Sequence, residues 1–91
     1  MTFEIVTRYG PYTNHARVTG LPVEVQNLVP ARMSASSTAS EEWAANALVK
    51  KLMAEVRSFA EFVELSCTNP SDHYTVPKLW KAVFRKRRNR S

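Results

Sequence analysis

Between Ala39 and Ser66 the chain contains neither glycine nor proline. A run of that length can propagate a helix with no built-in break. Ala45, Leu48, Val49, Leu52, Val56, Phe59, Ala60 and Val63 recur at the three- and four-residue spacing of one helix face. Asn46, Lys50, Lys51, Glu55, Arg57, Ser58, Glu61 and Glu64 occupy most of the remainder. The pattern predicts one long amphipathic helix over 39–67, roughly 40 Å long at 1.5 Å per residue. A compact globule of this chain length is about 31 Å across. Such a helix overshoots its own domain, kinks, or is partly covered by a partner. Its start is marked twice: Thr38 with Glu41 three residues on fits a capping box, and Ser40 is a competing N-cap. Glu41 and Glu42 suit the positive end of the helix dipole.

The stripe has two readings. Val49, Val56 and Val63 lie seven apart, with Ala45, Leu52 and Phe59 interleaved, which is the preference of a two-stranded coiled coil and of a homodimer through the long helix. The run barely reaches three heptads and lacks complementary charges at the flanking positions. The other reading is a stripe buried in the chain's own core.

Residues 1–29 read as β-rich. Phe3, Ile5 and Thr7 alternate with Glu4, Val6 and Arg8, the period of a strand. Gly10-Pro11 ends it. A second extended segment covers 12–19, with Ala16 and Val18 on one face. After Gly20, Leu21, Val23 and Val25 alternate with Pro22, Glu24 and Gln26, which predicts a third strand; Pro22 places it at a sheet edge. Residues 30–40, PARMSASSTAS, are small and polar and read as a linker. The expected fold is thus α+β in one domain spanning 1–91: a small N-terminal antiparallel β-meander, one long amphipathic helix, and a short basic C-terminal helix.

That last element rests on Val76, Leu79, Trp80, Val83 and Phe84, which again take helical spacing. Thr68-Asn69-Pro70-Ser71-Asp72 is a strong turn before it, and Thr75 supplies a cap. The basic helix and tail are expected over 75–88. Trp80 falls on the apolar stripe of this helix, which favours its burial over stacking on a base.

Charge concentrates at the same end. Residues 1–40 carry three arginines against two glutamates, and residues 41–67 carry three cations against five glutamates. Residues 68–91 carry seven cations, Lys78, Lys81, Arg85, Lys86, Arg87, Arg88 and Arg90, against Asp72 alone, so they hold the whole excess of the chain's net charge of +5. A few cations would complement a helix C-terminus or aid solubility. This density instead suits an anionic partner. Lysine and arginine neutralise phosphate, and arginine does so in bidentate fashion. Five or six such contacts on duplex DNA imply a log–log salt slope near −5.

Catalytic readings find little material. Ser71, Asp72 and His73 are consecutive, so their side chains cannot converge as a triad. Cys67 and His73 can meet across the turn, but nothing around them offers an oxyanion hole. Cys67, His15 and His73 match no zinc spacing. No enzyme activity, metal or cofactor is expected. A single cysteine excludes an internal disulfide and suits a reducing compartment. The N-terminus lacks a cationic stretch followed by an apolar run, and no apolar stretch approaches the roughly 20 residues of a membrane span. The expected location is the cytoplasm, and membrane binding by the short basic helix is the weaker alternative.

The function expected is non-enzymatic nucleic-acid binding through the basic helix. The alternative is a small accessory or inhibitor protein of viral type, which modulates a nucleic-acid-processing enzyme. Its interface would comprise Trp80, Phe84, Leu52, Val56, Phe59 and Val63, with the cations meeting an acidic groove on the partner.

Overall fold

A computed structural model describes residues 1–69 and 77–87. Five strands form a single antiparallel sheet: β1 (Thr2–Arg8), β2 (Asn14–Gly20), β3 (Ser34–Ser37), β4 (Ala60–Cys67) and β5 (Lys78–Lys86). Their spatial order is β3-β2-β1-β5-β4. The one α-helix among the described residues, α1 (Glu41–Val56), lies across one face.

Strand alternation builds the core from that face. Phe3, Ile5 and Thr7 of β1, Ala16 and Val18 of β2, and Trp80, Ala82 and Phe84 of β5 are buried. They meet Ala44, Ala45, Leu48, Val49, Leu52 and Val56 of α1. Phe84 is the hinge of the aromatic packing: its ring meets Phe3 edge-on at 5.2 Å and Phe62 at 5.6 Å. Such edge-to-face pairs add about 0.5–1.5 kcal/mol each beyond the area they bury.

Ser40 is the residue that caps α1: its hydroxyl accepts from the Trp43 amide at 3.0 Å. Glu41 turns inward, and its carboxylate accepts the Thr7 hydroxyl proton at 2.8 Å. The Thr7 oxygen in turn accepts from the Trp80 indole at 2.8 Å. Helix, first strand and last strand are therefore tied by one buried polar chain.

Several expectations are overturned. The long helix over 39–67 is a 16-residue helix that stops at Val56. After a turn at residues 57–59, residues 60–67 run as β4. Ala60 is buried and Phe62, Leu65 and Cys67 half-buried, while Val63 is the extra residue of a bulge between Phe62 and Glu64. The bulge shifts the alternation by one, which hides a strand inside an apparent helical stripe. The helix would have outrun the domain; at 16 residues it measures about 24 Å.

The short basic helix does not exist over the described residues, because 78–86 form β5, hydrogen-bonded to both β1 and β4. Its apolar residues sit on both sides of the strand, Trp80, Ala82 and Phe84 inward and Leu79 and Val83 outward, a distribution that mimics helical spacing. Pairing on both edges satisfies the backbone across the sheet and decides the conformation. Residues 75, 76 and 88 of the expected helix lie outside the described residues. The linker over 30–40 holds β3, and the third strand at Leu21–Gln26 is instead a 3₁₀ turn at Val23–Val25 that buries Val25 and leaves Val23 at 80% exposure.

Candidate functional site

The helix covers one face of the sheet and leaves the other open. Cross-strand register determines which side chains share that open face, because directly paired residues point the same way. Val6 pairs with both Arg17 and Leu79, Glu4 with Lys81, Thr2 with Val83, and Arg8 with His15. On the far side of β5, Lys81 pairs with Ser66, Val83 with Glu64, and Arg85 with Glu61.

Arg8, Arg17, Lys81 and Arg85 therefore emerge on one surface, and all four are exposed. Arg87 follows at the end of β5 and is also exposed; its Nε donates to the Ala60 carbonyl at 3.2 Å. With strands about 4.8 Å apart and a rise of about 3.3 Å per residue, Arg17 and Lys81 stand about 12 Å apart at the backbone, and Lys81 and Arg85 about 13 Å. The cations form a diagonal from β2 to the end of β5. Val6, Leu79 and Val83 fill the space between them.

Three carboxylates share the surface. Glu61 and Glu64 lie on β4, the edge strand, to one side of the diagonal. Glu61 accepts from Arg85 Nε at 2.6 Å, the only ion pair within 4 Å among the described residues. With the Arg85 side chain 71% exposed, this pair is screened and contributes little to stability. Glu4 packs its side chain over Gly20, where a methyl group would come within 2.5 Å of its carboxylate.

The seven cations expected to act as one helix face are divided by the strand. Lys81 and Arg85 point to the open face, with Arg87 beyond them. Lys78, half-buried opposite Thr7, and Lys86, exposed opposite Ala60, belong to the helix side at the two ends of β5. Arg88 and Arg90 lie outside the described residues. Arg8 and Arg17 were missed in sequence because their neighbours give residues 1–40 almost no net charge. The signal that could have found them is the strand period itself, which sets Arg17 opposite Ala16 and Val18.

The residues expected at a protein interface are mostly core. Trp80 is 8% exposed, Phe84 1%, and Leu52 and Val56 fully buried. Phe59 is half-buried against the core. Val63 alone is well exposed, at the β4 bulge. Val49, Leu52 and Val56 of the stripe proposed for a coiled coil are buried in the chain's own core, while Val63 lies outside the helix on β4. Trp80 and Phe84 also face the core, so among the described residues they present no amphipathic helix face to a membrane.

Cys67 is half-buried beside Asn69. His15 is exposed on the open face, and His73 lies outside the described residues. Among the described residues no three His, Cys, Asp or Glu side chains are placed to share a metal ion, and no described helix is long and apolar enough to cross a membrane. No family model matches the chain, and no curated protein or solved structure matches it.

Proposed function

We propose that this protein is a non-enzymatic nucleic-acid binder whose contact surface is the open face of the sheet, and that it acts in the cytoplasm. One observation carries the reading: Arg8, Arg17, Lys81 and Arg85, drawn from three strands, share the sheet face that no other described element covers, and Arg87 follows at the end of β5. Lysines and arginines on an open, partly apolar sheet face neutralise phosphates without needing a pocket.

Docking on a nucleic-acid-processing enzyme was the second reading. Four of its six interface residues are buried, so no observation favours it.

The test is direct binding of labelled DNA and RNA by the whole chain at about 50 and 200 mM salt. The reading expects binding at low salt that weakens steeply as salt rises. Replacing Lys81, Arg85 and Arg87 together with glutamine should abolish it while leaving the circular dichroism spectrum intact. No binding at low salt, or binding that the triple variant retains in full, overturns the proposal.

A further inference from the structure

The same face specifies which form of nucleic acid it fits. We infer that the ligand is a duplex held by its phosphate backbones, with neither base stacking nor base-edge readout; this rests on the nucleic-acid reading above.

Proteins that hold single strands combine a basic groove with aromatic rings on which bases stack. Here the rings of the cation-bearing strand are turned away. Trp80 and Phe84 alternate with Lys81 and Arg85 and lie in the core, and Phe3 and Phe62 join them there. Among the described residues no phenylalanine, tyrosine or tryptophan shares the open face; its one ring is the imidazole of His15, beside Arg8 and away from Lys81 and Arg85. The exposed rings are elsewhere: Tyr9 and Tyr12 in the β1–β2 turn, and Trp43 on α1, behind the sheet. The side chains between the cations are Val6, Leu79 and Val83. A base laid between Lys81 and Arg85 meets aliphatic side chains and no ring.

Without stacking, only the electrostatic term remains, and it favours the duplex. Double-stranded DNA carries a charge every 1.7 Å or so of its axis, and each neutralised phosphate contributes about 0.9 to the log–log salt slope, against about 0.7 on a single strand. Arg17 and Arg85 are roughly 22 Å apart at the backbone by strand spacing and rise. A stiff duplex presents phosphates along that whole distance without being ordered first, whereas a flexible strand must be immobilised across gaps of about 12 Å.

Shape excludes base-edge contact. Five strands at about 4.8 Å spacing make a sheet about 19 Å wide, and the major groove is only about 12 Å across. The sheet rests on the backbones and does not enter the groove. Binding is therefore independent of sequence.

The experiment compares the whole chain's affinity for a duplex of about 16 base pairs with its affinity for oligo-dT of equal length, with tryptophan emission recorded in each titration. The expected result is tighter binding to the duplex, equal affinity for a scrambled duplex, and unchanged emission, because Trp80 lies under the sheet and Trp43 behind it. Arg17→Gln removes one contact and should weaken duplex binding about eight-fold at 0.1 M salt, the value that a slope of 0.9 per contact implies. Arg8→Gln gives an independent check; both residues are exposed, so the fold is unaffected. Preference for oligo-dT with quenched emission overturns the inference and leaves nucleic-acid binding standing. Duplex binding indifferent to both Arg17→Gln and Arg8→Gln also overturns it, because the chain's basic end then suffices. No binding to either probe overturns the inference together with the reading beneath it.

Discussion

The indole N–H of Trp80 donates to the hydroxyl of Thr7 at 2.8 Å, joining residues 73 positions apart in the chain. Thr7 passes its own proton toward Glu41 on the helix. Each member of this buried chain is satisfied by the next, so removing the middle one orphans two groups at once. Thr7→Val keeps the side-chain shape and deletes the hydroxyl. It should destabilise the protein by about 1–3 kcal/mol, the cost of an unpaired buried polar group, as read by urea denaturation. An unchanged midpoint would show that water replaces the hydroxyl without cost.

Phe84 stands between Phe3 and Phe62 and is 1% exposed. Phe84→Ala should cost about 3–5 kcal/mol. For a domain of this size that removes most of the stability. Ending the chain after Trp80 should be worse, since it deletes Ala82 and Phe84 and unpairs β4 from its partner. Both variants should lose their cooperative thermal transition, measured by circular dichroism. A truncated chain that still melts cooperatively would mean that β5 is dispensable.

Thr38 and Ser40 both read as caps in sequence, yet only Ser40 accepts the Trp43 amide. Ser40→Ala should therefore cost about 1 kcal/mol, and Thr38→Ala much less. Equal losses in the two variants, by chemical denaturation, would contradict this assignment.

Glu61 holds Arg85 at 2.6 Å in an exposed pair. Glu61→Gln should alter stability by less than about 1 kcal/mol. It frees a guanidinium on the open face and should raise affinity for duplex DNA, with a salt slope steeper by up to about 0.9. Weaker binding in this variant would mean that Glu61 positions Arg85 for its ligand.

What the residues revealed in advance follows from how cleanly one period excluded the other. In β1 the buried Phe3, Ile5 and Thr7 alternate with exposed Thr2, Glu4 and Arg8, and only a strand fits. At α1 the small N-cap, two glutamates and the spacing of Ala45, Leu48, Val49 and Leu52 permit only a helix. In β5 the apolar residues fall on both faces, so period two and period 3.6 both match, and the register with β1 and β4 decides. In β4 the Val63 bulge breaks the alternation. β3 is four small residues, SASS, with no apolar signal; pairing with β2 alone makes it a strand. The cationic character of the site was visible in the composition of the C-terminus. Its location was not, because Arg8 and Arg17 reach it only through tertiary pairing.

The order β3-β2-β1-β5-β4 seats β5 in the interior of the sheet. Until residues 78–86 have been synthesised, β1 has a neighbour on one side only, and β4 has none. The hydrophobic underside of the sheet cannot close over the helix before then. A nascent chain that has not yet extended past residue 86 therefore exposes an unclosed, sticky sheet, and closure waits on one central piece.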